Sequence, residues 1–313
     1  GEALMIRALT DVHDRPVTIV PGAWLDGRLS WSDHTPVYGT PLPSLADTEP
    51  SPLYHEDVTP STSGDGEPWD LVEIKNTRLP TLALKPYLSD RVDDSFRAIR
   101  QRLAVEVGYR FLDELSEAYR PYQYQGEAAA FASWHKSGRA IDTLFDLQGA
   151  DGQQLVIARD DMAGETFWRV YLRCADQTGA CGRPLTADVW DYSRRARTQL
   201  APQEGGVEHH PSGQYYVDLT AIMREYGWAR IAAWDRPEFS WRWHFKAFEY
   251  WHFQKTEGLS WYAAMLEVIA PSKVESTFSY ERMIAAGDHP FTVALKGVPL
   301  PAPVRLWWMQ VRP

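Results

Sequence analysis

Apolar residues first recur at helical spacing at Val92, Phe96, Ile99, Leu103 and Val107. Steps of three and four place them on one stripe, so residues 91–107 are predicted to form an amphipathic helix. Ser89 or Asp90 is its expected N-cap and Gly108 its stop. Residues 111–119 carry Leu112, Leu115 and Ala118 at less regular spacing, and propensity alone lets the helix continue. A short helix is expected around Ala128-Ala129-Ala130. Residues 139–148, with Ile141, Leu144, Phe145 and Leu147, read as a buried strand, and 155–158 and 167–174 as two more. In the last of these Trp168, Val170 and Leu172 alternate with Phe167, Arg169, Tyr171 and Arg173, a half-buried pattern. Leu219, Ile222, Met223 and Tyr226 mark a helix ended by Gly227. Residues 241–253 read as an aromatic-rich central strand with its turn, 261–269 as a helix, and the tail with Val304, Leu306, Trp307 and Trp308 as a strand. Helices mixed with mostly antiparallel strands predict an α+β fold.

The first 85 residues have a different texture. They are rich in Pro, Gly, Ser, Thr and Asp, with short apolar runs such as Val17-Thr18-Ile19-Val20, which predicts short strands and turns. Residues 41–68 are almost all turn formers and read as a surface loop. The favoured role is an arm that wraps the next domain; the alternative is a substrate groove lined by Trp24, Trp31, Tyr38, Tyr54 and Trp69. Residues 204–213 are expected to be a polar, turn-rich loop. The boundaries drawn are an arm at 1–85, a central domain at 86–270, and an extension at 271–313.

A chain of 313 residues suffices for one large or two modest domains, and 44% apolar residues with 14 Trp support a core. The net charge of −10 argues against a nucleic-acid partner, which calls for basic patches. No run approaches the roughly 18 apolar residues of a membrane span. No signal peptide stands at the start; Gly1 reads as a tag remnant or a processed end, which leaves a removed leader open. Cys174 and Cys181 are the only cysteines. They would clip a hairpin in an oxidising compartment and stay reduced in the cytosol. No further Cys completes a thiolate metal site.

Two stretches carry the chemistry. Ser133-Trp134-His135-Lys136-Ser137-Gly138-Arg139-Ala140-Ile141-Asp142 reads S-x-H-x-x-G-x-A-x-D, and Glu249-Tyr250-Trp251-His252 reads E-x-x-H. His135, Asp142 and His252 make a three-ligand set for Zn2+ with a position left open, the usual plan of a hydrolytic zinc. Glu249 is the natural general base for its water. His135 and Asp142 are too far apart in sequence for one helical face, but a loop feeding a strand brings them together. Gly138 permits the close turn, and Ala140 leaves room beside the metal. Glu249 and His252 face the same way on a helix or tight turn. His244 is the main rival ligand but lacks the motif around it. His209 and His210 sit in the turn-rich loop and read as solvated.

These motifs resemble those of the M15 zinc peptidases, the D-alanyl-D-alanine carboxypeptidases and dipeptidases. Tyr119-Arg120-Pro121-Tyr122-Gln123-Tyr124-Gln125 is similar to that family's Y-R-S-x-x-x-Q, with Pro in place of Ser, and Phe253 supplies an aromatic after E-x-x-H. The matches fall in family order over 119–253. The resemblance implies a small, mostly antiparallel sheet with flanking helices, a strand across 111–119, and an insertion at about 150–205. It implies Arg120 as a substrate and oxyanion contact, while Tyr119 and Gln125 read as structural. Ser133 binds substrate or shapes the loop that carries His135. The expected activity is hydrolysis of a peptide bond in a peptidoglycan stem peptide ending in D-Ala-D-Ala, outside the cytoplasm. A peptidoglycan endopeptidase or amidase of other bond specificity, and a non-catalytic wall-binding protein, are the rival readings.

Overall fold

The amphipathic stripe forms the spine of the fold in the computed structural model, which describes residues 53–58, 69–80, 86–124, 131–149, 152, 155–194, 206–211 and 213–305. Helix α1 (Asp93–Val107) buries Phe96, Ile99, Leu103 and Val107, and Gly108 closes it in the left-handed conformation at φ 88°. Its start differs from the expectation: Val92 is the N-cap and offers no side-chain cap. The free amides are met by a distant residue instead. The Glu56 carboxylate accepts from the amides of Asp94 at 3.0 Å and Ser95 at 3.2 Å. A carboxylate at this end also suits the helix dipole.

Strands β1 (Leu71–Glu73) and β2 (Tyr87–Ser89) pair antiparallel ahead of α1. After α1 the chain makes a 3-10 turn at Phe111–Asp113 and enters strand β3 (Leu115–Glu117), so this stretch is extended and the helix does not continue. Strand β4 is Ala140–Thr143. Then come β5 (Val156–Met162), β6 (Glu165–Arg173), β7 (Arg183–Pro184), β8 (Val189–Asp191), β9 (Val207–His209) and β10 (Tyr215–Asp218). Helix α2 (Leu219–Glu225) leads to β11 (Ala229–Arg230), the hairpin β12 (Asp235–Arg236) and β13 (Phe239–Ser240), and finally β14 (His252–Gln254).

Two main sheets result, and every pairing in them is antiparallel. The smaller has the order β11-β14-β4-β3 and the larger β7-β10-β6-β5-β8-β9. The α+β expectation is met. Residues 150–205 supply β5, β6, β7 and β8, four of the six strands of the larger sheet. In β6 the buried residues are Trp168, Val170 and Leu172, as the alternation predicts. Residues 204–213 are not all loop. Strand β9 pairs with β8 because His209 Nε2 reaches the buried Asp191 carboxylate at 2.9 Å.

The aromatic stretch 241–253 is also not one strand. It contains a 3-10 turn at Phe245–Ala247, and only its end, in β14, is extended. Its rings explain this. Phe248 stacks on Tyr192 at 4.0 Å and meets Trp168 at 5.1 Å, so the segment packs as a knot of rings against the larger sheet.

Helix α3 (Trp261–Val268) follows, then α4 (Pro271–Thr277), α5 (Tyr280–Ala285) and α6 (Pro290–Leu295). Pro at the first turn of α4 and α6 is pre-set for helix. These short helices bury Val274, Phe278, Met283 and Val293. They belong to the compact unit Tyr54–Pro299, which crosses both boundaries drawn at 85 and 270. Tyr54 belongs to it as a packing residue: its hydroxyl accepts from Lys255 Nζ at 2.8 Å and its ring lies 5.7 Å from Tyr226. The amide of Trp69 donates to the Val268 carbonyl. A second unit comprises Gly1–Leu53 and Leu300–Pro313, in which residues 302–305 form a helical turn and not a strand. Trp24, Trp31, Tyr38, the Ala128-Ala129-Ala130 run, Leu306, Trp307 and Trp308 lie outside the described residues. Among the described residues no helix is long and apolar enough to cross a membrane.

Cys174 and Cys181 form a disulfide with their Cα atoms 6.2 Å apart, tying the end of β6 to the approach to β7. Closing so short a loop restricts the unfolded chain by about 2–3 kcal/mol. Thiol titration of unfolded, unreduced protein is therefore expected to find no free thiol, and reductant to lower the denaturant midpoint. Two free thiols would show the bond to be absent.

Asp93 gives a pH dependence. Burial lifts its pKa to about 6; Arg97 opposes this, while Asp94, Glu56 and Asp90 add to it. Between about pH 4 and pH 6 the folded chain then holds a proton that the unfolded chain has released. Asp93 thus favours folding at low pH and opposes it above this window. Asp93→Asn is expected to raise the melting temperature at about pH 8 and leave it unchanged below about pH 4. A lower melting temperature at the higher pH would refute this account.

Candidate metal centre and active site

The smaller sheet assembles the motif residues. Asp142 lies in β4 directly opposite His252 in β14, so their side chains share one face of the sheet. On its other side, across a bulge in β3, Asp142 is paired with Glu117. His135 arrives from the 3-10 turn Trp134–Ser137 that immediately precedes β4. Ser133 caps that turn, its hydroxyl accepting from the His135 amide at 3.3 Å. Gly138 ends it at φ 69°, where a Cβ would lie 2.7 Å from the Ser89 amide nitrogen, so glycine is required here.

His135, Asp142 and His252 are all buried, and one ligand atom from each lies within 4.8 Å of the others. Asp142 Oδ1 is 3.1 Å from His135 Nε2 and 2.9 Å from His252 Nδ1. The outer ring nitrogens are also engaged. His135 Nδ1 lies 2.6 Å from the Ala118 carbonyl, and His252 Nε2 lies 3.1 Å from the Gln254 amide oxygen. Both oxygens only accept, so both outer nitrogens carry the proton. In neutral imidazoles the inner nitrogens are then bare lone pairs, and both face a carboxylate oxygen. That contact repels unless both rings are protonated or a cation sits between them. Outer-shell carbonyls that fix each ring with its lone pair inward are the usual support of a metal-ligating His. The donor set therefore fits a metal ion, and the geometry makes this trio a possible metal-binding group. Burial opposes a charge on His135, but the carboxylates of Asp142 and Glu117 outweigh it and raise its pKa. Burial opposes the charge of Asp142, but His135 and then His252 hold it well below the ordinary carboxylate range.

Glu249 stands at the turn that enters β14. It adopts φ 59°, an uncommon conformation for a residue with a side chain, and its carbonyl accepts from the His252 amide at 3.2 Å. Its Oε1 accepts from the indole Nε1 of Trp234 at 2.7 Å. Burial raises its pKa; the charge of His252 opposes that, Asp142 adds to it, and the Trp234 hydrogen bond opposes it. Glu249 is thus close enough to the trio for their charges to act on it.

Arg120 follows β3 and is half-buried. Its amide donates to the His135 carbonyl at 3.2 Å, and its Nε and Nη2 donate to the two carboxylate oxygens of Glu117. Its guanidinium also lies over Tyr124 at 5.7 Å. Burial disfavours its charge, but Glu117 and then Asp142 more than compensate, raising its pKa. Tyr119 is buried beside it, and Gln125 lies outside the described residues.

The rival ligands lie elsewhere. His244 is exposed and its Nδ1 accepts from the Ser240 amide at 3.3 Å. His209 is on Asp191, and His210 pairs with Asp188 at 3.1 Å on the surface. Glu56, Asp93 and Asp94 also approach one another. Their oxygens are taken by the amides at the start of α1, by Arg97 and by Lys255, which makes them a helix cap.

Sequence reasoning missed four contributors: Glu117, Gln254, the Ala118 carbonyl and Trp234. Gln254 and Glu117 are signalled only by strand alternation, each being two residues from a residue already singled out. Ala118 contributes backbone, and Trp234 lies 15 residues from Glu249, so neither leaves a local signal.

His135→Ala and His252→Ala are each expected to lose most of the bound metal, from about one ion per chain by elemental analysis. Full metal content in both variants would place the site elsewhere. Comparison with protein-family models, curated proteins and solved structures returns no match to this chain.

Proposed function

We propose that the chain is a zinc-dependent peptidase that hydrolyses a peptide bond in peptidoglycan stem peptides, as a D-Ala-D-Ala carboxypeptidase. The observation that carries this is the convergence of His135, Asp142 and His252 with Glu249 beside them, in the order and spacing of the M15 motifs. Two imidazoles and a carboxylate suit Zn2+ among the common divalent metals. Zinc held there supplies Lewis acidity, acidifying water and polarising a carbonyl.

The chain's own residues divide the remaining work. Glu249 accepts a proton from the attacking water and returns it to the amine as the C–N bond breaks. Arg120 meets the negative charge that develops on the carbonyl oxygen. Glu117 holds two of its nitrogens, which orients the fork and leaves Nη1 for that contact. Ser133 serves by shaping the turn that carries His135. The disulfide agrees with an extracytoplasmic location.

Glu249→Gln is expected to keep its metal and its melting temperature while kcat on a D-Ala-D-Ala-ended peptide falls by about 10²–10⁴-fold, with little change in KM. Arg120→Lys is expected to cost less. Near-wild-type turnover by metal-loaded Glu249→Gln protein would remove Glu249 as the base. Mass spectrometry of products from defined muropeptides identifies the bond: loss of one terminal D-Ala supports a carboxypeptidase, and internal cleavage supports an endopeptidase or amidase. No cleavage by metal-loaded protein supports a wall-binding role.

A further inference from the structure

The environment of Glu249 contains a feature that the hydrolytic reading does not itself require. Trp234 carries a donor and no acceptor, and that donor points at Glu249 Oε1 from 2.7 Å. We propose that Trp234 is a positioning residue for the general base: its indole N–H pins one carboxylate oxygen of Glu249 and leaves Oε2 to exchange the proton. The proposal rests on the assignment of Glu249 as base.

Three observations support it. First, the indole is rigidly mounted. The Trp234 amide donates to the Ala247 carbonyl and its carbonyl accepts from the Trp241 amide, both at 2.8 Å. The β12–β13 hairpin begins at the next residue, and it is cross-linked by the Ser240 hydroxyl on Asp235 Oδ1 at 2.8 Å and by Arg242 on Asp235 Oδ2 at 2.6 Å. The ring itself is covered by the Arg236 guanidinium at 4.4 Å and flanked by Phe239 at 6.5 Å. Second, the Glu249 backbone is fixed independently by its φ of 59° and by the His252 amide on its carbonyl. A side chain has three torsions between those anchors, and a carboxylate free to rotate presents either oxygen. The indole removes that freedom at its far end. Third, the Ala247 carbonyl that holds Trp234 lies two residues before Glu249, so donor and base are referenced to the same short segment. A misplaced proton acceptor costs rate without costing substrate binding.

A hydrogen bond that only satisfies a half-buried indole would leave kcat, and its dependence on Glu249, unchanged. Trp234→Phe is expected to keep metal content and melting temperature. It should lower kcat by about 10- to 100-fold, the value of a hydrogen bond to a charged group, with KM within about twofold. In the Glu249→Gln background, Trp234→Phe is expected to add little further loss, because the residue acts through the base. An independent readout needs no turnover. The Trp234 indole N–H, assigned in a proton–nitrogen correlation spectrum by its absence in Trp234→Phe, is expected to shift upfield in Glu249→Gln, as a charge-assisted bond becomes a neutral one. An unmoved indole resonance, wild-type kcat in Trp234→Phe, or an equal fold-loss in both backgrounds would overturn the proposal. A chain that cleaves no muropeptide but shows the shifted resonance would fail the peptidase reading while keeping the Trp234–Glu249 contact.

Discussion

One oxygen organises this structure. Asp142 Oδ1 lies within about 3 Å of a nitrogen of both His135 and His252. With neutral rings protonated on their outer nitrogens, a buried carboxylate there faces two lone pairs, a contact that a cation between them relieves. It also demands register. A slip of one residue between β4 and β14 would send Asp142 or His252 to the opposite face of the sheet. The ladder is continued on both sides of the pair. The Thr143 amide reaches the Trp251 carbonyl at 3.0 Å, and the Lys255 amide reaches the Arg139 carbonyl at 2.9 Å. Arg139 and Lys255 are buried cations, and each is answered. Arg139 meets Glu267 at 2.9 Å and Glu257 at 3.0 Å, and Lys255 meets Glu56 at 3.0 Å. Removing such a partner strands a buried charge, so these pairs hold the ladder in register.

The larger sheet connects to the centre through aromatic rings. Trp168 in β6 and Tyr192 after β8 pack on Phe248, the residue before Glu249. Phe245 lies 5.0 Å from Trp251, the residue before His252. Glu249 and His252 are therefore both flanked by rings set in a close-packed core, which resists small displacements. Strands β6 and β8 therefore belong to the part of the fold that sets where Glu249 stands.

What the sequence disclosed follows from range. Helix α1, β6, α2 and α3 show in the local pattern because one buried face dictates a period. The trio His135, Asp142 and His252 shows because two motifs carry it, the first of them a turn feeding a strand with Gly138 at the joint. The helix cap does not show, since Glu56 reaches α1 from nearly forty residues away. Nor does the fate of 241–253: a run of aromatics reads as a strand, but here the rings pack on distant Trp168 and Tyr192, and Glu249 breaks the extended path at φ 59°. Strand β9 was hidden for the same reason. Its His209 reads as polar loop until Asp191 is placed opposite. Tertiary contacts override local propensity in each case.

Charge balance gives the last constraint on the centre. Asp142 and Glu117 face each other across β4 and β3, and the Arg120 guanidinium is clamped by Glu117 and acted on by Asp142. With both imidazoles neutral, Asp142 holds a buried negative charge that the Glu117–Arg120 pair does not cancel. A cation bound by the trio would answer that charge. The clamp on Arg120 follows from the same logic. A free guanidinium beside a divalent ion would be repelled, whereas one paired to Glu117 stays in place with a donor still unused. Glu117 would thus let a bound cation and the Arg120 guanidinium share one small site.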